Sequence, residues 1–213
     1  MSLSKRLKAI CDCLDKNDVI SDIGTVHGLV PIYHIIHNKA NKAYACDINP
    51  LPLSQAKENI NLYNVNVETI LSNGIENIKD DSNTLVIAGM GNNTIIEILT
   101  SNNAKLKNIN KIVVQSNTHP ETIRLLLNKM GYKVVNERVV FDKNKYYEID
   151  CFILGNEELT DLEIKYGKIN LLNREETFIN KLKFDYMVKS KIYEKSKDIN
   201  FLNDLNEIKE ILK

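Results

Sequence analysis

Along residues 1–155, short apolar runs alternate with segments of helical periodicity. This rhythm is typical of a parallel sheet covered by helices on both faces. Each run is long enough for one buried strand. The predicted strands are residues 19–23, 42–47, 67–71, 84–88 and 111–115.

Two longer extended runs, residues 132–141 and 145–154, follow these strands. The polar link between them is typical of a hairpin, so we expect them to be antiparallel neighbours. Five parallel strands closed by a hairpin indicate the α/β class, in the seven-stranded variant of the doubly wound sheet. Helices are predicted between the strands, among them 51–64, 94–99 and one that begins at Pro120 behind a Thr118 cap and ends before Gly131.

The C-terminal segment, residues 157–213, has a different pattern. It contains no proline and one glycine, Gly167, and it is predicted to be helical throughout. We expect a long helix that folds back near residues 196–200 into a shorter one, as an antiparallel coiled-coil hairpin. The alternative is a solvated helical tail that packs on the sheet domain. The prediction depends on a seven-residue repeat of apolar positions, interrupted by Asp185: Ile164, Leu171, Phe178, Ile192 and Ile199.

Charge and composition exclude several classes of protein. The chain has 28 basic and 28 acidic residues, which excludes a polycation but is compatible with a local basic patch. No run of about 18 apolar residues occurs and no apolar signal region follows the start, so we expect a cytoplasmic protein without membrane association. No metal site is predicted. The four cysteines (Cys11, Cys13, Cys46 and Cys151) lack ligand spacing, and among His27, His34 and His37 the last two could share a helix face but have no acidic or cysteine partner to complete a site.

The turn after the first strand is the first candidate ligand site. Gly24 permits a tight turn over the carboxyl ends of the strands, and Asp47, 23 residues later, ends the second strand, where a carboxylate can accept from both hydroxyls of a ribose. Val26 replaces the glycine that a pyrophosphate needs, which disfavours a nicotinamide-dependent oxidoreductase. S-adenosylmethionine, which has a ribose but no phosphate, fits better.

The fourth strand ends in a second glycine-rich turn, in which Gly89 and Gly91 flank Met90. Two glycines at a strand's carboxyl end leave open backbone beside a cofactor, and the alternative is an ordinary flexible turn. Asn73 and Gly74 after the third strand offer an amide to an adenine edge, or form a simple turn.

Several motifs in order along the whole chain resemble the bacterial tRNA (adenine-22-N1)-methyltransferase family, often called TrmK. The resemblance implies a Rossmann-like S-adenosylmethionine-binding domain over residues 1–156, a coiled-coil tail over 157–213, and methylation of N1 of an adenine in the D-arm of tRNA. The matching pieces are residues 3–7, Asp22–Gly24 with His27 and Pro31, residues 87–91, Gln115–Asn117, residues 146–148 and the helical tail.

Site residues are assigned partly from these turns and partly from the resemblance. The candidates for holding the target base are Asn117, Gln115, His27 and Tyr147. The candidate cofactor-binding residues are Arg6, Asp22, Gly24, Thr25, His27, Asp47, Ile48, Asn73, Gly74, Ala88, Gly89, Met90 and Gly91. Each base contact has the alternative of ordinary hydrogen bonding at a strand end.

The chain departs from the family pattern at four positions. An acidic residue usual in the cofactor turn is replaced by Val26, and the acidic residue after the third strand is Asn73. Asn92 stands where a second glycine is usual after Gly91, and Ser116 where proline is usual.

The target atom sets the expected chemistry. N1 of adenine carries an in-plane lone pair, so its methylation requires correct positioning more than a general base. Because N1 lies on the pairing edge, the adenine must be unpaired before the enzyme can reach this atom. The Asp/Asn-Pro-Pro-Tyr motif of enzymes that methylate exocyclic amines is absent, which is consistent with a ring nitrogen.

Binding of RNA requires positive charge. Residues 165–197 hold nine basic and four acidic residues, which favours a tRNA-binding arm, with a solvated lysine-rich helix as the alternative. We expect a monomer. The alternative functions are a tRNA-binding module that has lost turnover and a methyltransferase acting on another RNA or on a small molecule.

Overall fold

A computed structural model describes all residues of the chain, Met1–Lys213. Seven strands form one sheet, in the spatial order β3-β2-β1-β4-β5-β7-β6. Their bounds are Ile20–Ile23 (β1), Ala43–Asp47 (β2), Val67–Leu71 (β3), Thr84–Met90 (β4), Lys111–Ser116 (β5), Tyr132–Asp142 (β6) and Lys145–Leu154 (β7).

Strands β1 to β5 are parallel, and β7 runs antiparallel between β5 and β6. The predicted doubly wound sheet with its terminal hairpin is confirmed. Lys143 and Asn144 both have positive φ, 49° and 62°, which is the backbone of a tight two-residue hairpin turn. Because the strand order reverses between β1 and β4, the carboxyl ends of these two strands border the crevice where such sheets bind ligands.

Five helices cover the two faces of the sheet, and two apolar layers pack beneath them. Alternate residues of one strand enter opposite layers: Ile87 packs in one and Val86 in the other. The helices are Lys5–Cys11 (α1), Leu29–His37 (α2), Pro50–Tyr63 (α3), Asn92–Thr100 (α4) and Pro120–Lys129 (α5).

The predicted Thr118 cap of α5 is wrong. The residue before this helix is His119, which has a left-handed backbone and no capping side-chain hydrogen bond. The hydroxyl of Thr118 instead accepts from the backbone N–H of Asn92 at 3.1 Å and donates to the Asn92 side-chain oxygen at 2.9 Å. Thr118 therefore joins the turn after β5 to the start of α4.

The tail consists of four helices, Asp161–Tyr166 (α6), Lys168–Asn173 (α7), Glu176–Ser196 (α8) and Ile199–Ile211 (α9). The last two form a helical hairpin whose break falls where it was predicted. The interpretation of residues before it as one long helix is wrong, because Gly167 and Arg174 adopt positive φ and end α6 and α7. The seven-residue series is divided among four helices, and Ile192 and Ile199 are exposed.

A buried ion network attaches the tail to the sheet. Arg124 of α5 lies 2.9 Å from a carboxylate oxygen of Glu137, 2.6 Å from one of Glu148 and 3.1 Å from one of Asp150. Glu148 also pairs with Lys181 of α8 at 3.1 Å. Burial alone would raise the pKa of Glu148, but Lys181 and Arg124 outweigh it and hold that pKa at about 2. No helix of the chain has both the length and the apolar character required to span a membrane.

Candidate active site

The turn after β1 is shaped by Gly24, whose φ of 71° is a conformation that other residues seldom adopt. The backbone N–H groups of Gly24 and Thr25 donate to the carbonyl of Cys46, at 2.8 and 2.9 Å, and so fix this turn to β2. A Cβ at Gly24 would lie 2.0 Å from the terminal methyl carbon of Met90. The backbone conformation therefore favours glycine here, whereas the Met90 methyl group is the end of a flexible side chain that can move aside.

A cavity of about 370 Å³ opens beside this turn. Asp47 lies in its wall, and one carboxylate oxygen accepts from the backbone N–H of Asn49 at 2.7 Å while the other has no hydrogen bond within the chain. That oxygen is available to accept from a ligand hydroxyl. The cavity is lined by Ile23, Gly24, Asp47, Ile48, Asn49, Ser72, Asn73, Gly74, Met90, Thr94, Glu97, Ile98 and Ser101.

A smaller cavity of about 150 Å³ lies on the other side of Gly24, against α1. Its charged residues are Arg6 and Asp22. Burial raises the pKa of Asp22 to about 7, although a hydrogen bond from the Thr25 hydroxyl at 2.6 Å opposes the shift. The remaining lining residues are Leu7, Gly24, Val26, Leu29, Val30 and Ala88.

Four of the predicted cofactor residues line neither cavity. Thr25 is buried and supports Asp22, and Gly91 precedes the first turn of α4. Gly89 faces α1, because a Cβ there would lie 3.2 Å from a guanidinium nitrogen of Arg6. His27 is exposed, and its backbone carbonyl accepts from the Asn59 side chain at 2.9 Å.

A hydrogen-bonded network spans the carboxyl ends of β4 and β5. Arg6 Nη1 donates to Gln115 Oε1 at 2.6 Å, and Gln115 Nε2 donates to Asn117 Oδ1 at 3.1 Å. Asn117 Nδ2 in turn donates to the carbonyl of Gly89 at 2.7 Å. The Arg6 guanidinium also lies 5.5 Å from the centre of the Tyr147 ring. Three of the four predicted base contacts are thus brought together.

The fourth predicted base contact, His27, is outside this network. The members of the network also differ in exposure, because Gln115 is fully buried whereas Asn117 is exposed. Asn117 can therefore meet a substrate without rearrangement, whereas Gln115 cannot.

Several lining residues were missed by sequence reasoning. Thr94, Glu97, Ile98 and Ser101 reach the larger cavity from one side of α4, and Ser72 reaches it from the end of β3. Their spacing along α4 follows the helical period, but no sequence signal shows which side of a helix faces a cleft. Asn73 lines the cavity as predicted, and its side-chain amide donates to Glu76 at 3.1 Å.

The basic charge of the tail is partly neutralised within the chain. Among the nine basic residues counted in 165–197, four form ion pairs: Lys165, Lys168, Lys181 and Lys189. Their partners lie mostly outside that window. The basic residues that form no ion pair are Arg174, Lys183, Lys191, Lys195 and Lys197.

Comparisons with known proteins point to one class. Residues 3–149 match a family model described as a methyltransferase domain. The tRNA (adenine(22)-N(1))-methyltransferase of Bacillus subtilis (strain 168) is 31% identical over 152 residues, which cover 70% of this chain. The chain spans 64% of the length of this curated relative.

Two solved structures match the chain over nearly its whole length. TrmK of M. capricolum, in complex with the cofactor product S-adenosyl-homocysteine, is 31% identical with a TM-score of 0.85, over 99% of this chain and 96% of that one. A Streptococcus pneumoniae protein is 22% identical with a TM-score of 0.94, over 100% of both chains, and this likeness shows the fold.

The fold and its cleft define a Rossmann-like methyltransferase domain with a helical tail. The chain belongs to the methyltransferase-domain family and, within it, to the TrmK family.

Proposed function

We propose that this protein is a tRNA (adenine(22)-N(1))-methyltransferase, which transfers a methyl group from S-adenosylmethionine to N1 of an adenine in the D-arm of tRNA. The observation that carries the proposal is the position of the Asn117 network, at the carboxyl end of β5, next to a cleft that presents the Asp47 carboxylate. The names of the similar proteins support the same activity.

The cleft fits S-adenosylmethionine. The larger cavity offers the unpaired Asp47 oxygen for ribose hydroxyls, and the smaller one offers Asp22 for a positively charged amino group. Gly24 lines both cavities, and the end of the flexible Met90 side chain lies over it, so one continuous ligand requires this side chain to move aside. When bound, the cofactor supplies an electrophilic methyl group on a positively charged sulfur.

The residues of the chain then have a positioning task. The adenine N1 lone pair forms the new N–C bond as the bond from sulfur to the methyl carbon breaks, so the positive charge passes from sulfur to the base and no proton has to leave first. Asn117 Oδ1 accepts one hydrogen bond from Gln115 and keeps a second lone pair for the adenine amino group. Gln115 is a positioning residue, because it is buried and orients both Arg6 and Asn117.

The proposed target, an adenine of tRNA, implies tRNA as the partner of this protein. We propose that the protein acts as a monomer in the cytoplasm, and that the helical tail contacts tRNA through the basic residues that remain without ion pairs. N1 is on the pairing edge of adenine, so the base must leave any pair or stack to reach Asn117.

The test is methyl transfer from labelled S-adenosylmethionine to tRNA from a strain that lacks the enzyme, followed by mass analysis of the nucleosides. N1-methyladenosine is the expected product. Cofactor binding without any transfer to tRNA would contradict the proposal and favour a tRNA-binding module without turnover.

A further inference from the structure

Three aromatic rings, two of them exposed and the central Tyr146 half-buried, form a cluster between the terminal hairpin and the tail. The ring centres of Phe141 and Tyr146 are 4.7 Å apart, and those of Tyr146 and Phe184 are 5.9 Å apart. Phe141 is 43% exposed and Phe184 49%, which is unusual for phenylalanine on a monomeric surface. The rings belong to β6, β7 and α8, so packing of the tail on the sheet assembles the cluster.

The cluster lies at the carboxyl ends of the parallel strands, as the candidate active site does. In the register of β7 against β5, Asp150 pairs with Val114, so Tyr146 and Tyr147 extend past the carboxyl end of β5. Successive residues of a strand point to opposite faces. Tyr147 therefore turns to Arg6, whereas Tyr146 turns to Phe184.

Lysines without ion pairs flank the rings. On α8, Lys183 and Lys191 stand one helical turn to either side of the half-exposed Met187, on the side next to Phe184. At the hairpin tip, Lys143 and Lys145 are exposed. None of these four lysines lies within ion-pair distance of a carboxylate, in contrast to Lys181 and Lys189 of the same helix.

We infer that this aromatic–lysine surface binds unpaired nucleotides of the RNA substrate by stacking, beside the base that is methylated. Exposed aromatic rings interleaved with cations are the combination by which proteins hold single-stranded nucleotides, since every base has a stacking face and every linkage a negative charge. A second copy of this chain would bring identical positive charges together, which makes RNA the better complement. The inference rests on the proposed function, because it assumes an RNA substrate.

The experiment measures the affinity of the full-length protein for a tRNA transcript and for a perfect RNA duplex of equal length. We expect Phe184→Ala and Phe141→Ala to weaken tRNA binding at least about fivefold each, and duplex binding much less. Phe184→Trp, which keeps a stacking face, should bind as the wild type does. Tyr63→Ala, a 39% exposed tyrosine at the end of α3, is the matched control and should change nothing.

The lysines give a second measurement. Lys183→Ala and Lys191→Ala should each make tRNA affinity less dependent on salt. Lys107→Ala should not, because Lys107 lies just before β5, at the amino ends of the parallel strands. S-adenosylmethionine affinity, measured in parallel, should stay at the wild-type value in all variants.

The outcomes separate this inference from the proposed function. If the wild type methylates tRNA and the phenylalanine variants bind it unchanged, the inference is overturned and the function stands. If the wild type sediments as a dimer that Phe184→Ala dissociates, the surface joins two copies and the inference is wrong. If the wild type binds no tRNA, both fail.

Discussion

Arg6 Nη1 lies 2.6 Å from Gln115 Oε1, so a residue of the first helix holds the end of the fifth strand. The same guanidinium stacks near the Tyr147 ring and lies close to Gly89. One planar cation thus fixes the relative positions of the cofactor turn, the Asn117 amide and the hairpin tyrosine.

Replacing Arg6 by lysine should lower kcat/KM for tRNA methylation by about 10- to 100-fold, because a lysine ammonium cannot donate to Gln115 and stack on Tyr147 with the same geometry. Steady-state kinetics measure the effect. Arg138→Lys is the matched control, since the Arg138 pair with Asp12 at 3.3 Å is half-exposed and neither residue lines a cavity of the cleft. Equal losses in both variants would contradict the role of Arg6.

Asp47→Ala should weaken binding of S-adenosylmethionine by about 10- to 100-fold, because we propose that the carboxylate oxygen left without a partner in the chain accepts a charge-assisted hydrogen bond from the ligand. Titration calorimetry measures the affinity. Asp80→Ala removes a carboxylate that is paired only with Lys105, at the amino ends of the parallel strands. This variant should bind the cofactor normally. Unchanged affinity in Asp47→Ala would place the ribose elsewhere.

Cofactor affinity should depend on pH through Asp22. Burial raises its pKa to about 7, so the group is partly protonated near neutral pH. A positively charged ligand favours the ionised carboxylate, and affinity should therefore rise as pH increases through about 7 and fall below it. In Asp22→Asn this dependence should disappear, and a variant that keeps the wild-type pH profile would assign the titration to another group.

The tail should depend on Arg124 for its attachment. Arg124→Met leaves Glu137, Glu148 and Asp150 buried without their shared cation, which should lower the free energy of unfolding by about 3–5 kcal/mol. Urea unfolding measures the change. Arg138→Met, which breaks a half-exposed pair, should have little effect, and similar stability of the two variants would show that the network contributes no more than a surface pair.

The strands and the hairpin could be predicted from local sequence signals. The ion pairs of the tail could not, because they depend on long-range packing. The hairpin could be predicted because Lys143 and Asn144 form a turn that two adjacent residues determine. The pairing of Lys165 with Asp204 joins residues 39 positions apart, so a count of basic residues in one window could not show which charges remain free.

Some residues of the candidate site could be predicted from local sequence, and others depend on long-range packing. Gly24 and Asp47 were predictable because Gly24 directly follows β1 and Asp47 ends β2, and parallel strands bring their carboxyl ends together. The contact between Arg6 and Gln115 spans 109 positions and depends on how α1 packs on the sheet. The contribution of α4 to the larger cavity depends on helix packing too, and no local pattern encodes it.

The proposed methylation can be tested with two tRNA transcripts that differ at one nucleotide, adenine or guanine at position 22, each incubated with labelled S-adenosylmethionine and the purified protein. Mass analysis of nuclease fragments locates the methyl group. The proposed function predicts N1-methyladenosine at position 22 of the first transcript and no transfer to the second. Equal methylation of both transcripts, or a methyl group on any other atom, would contradict it.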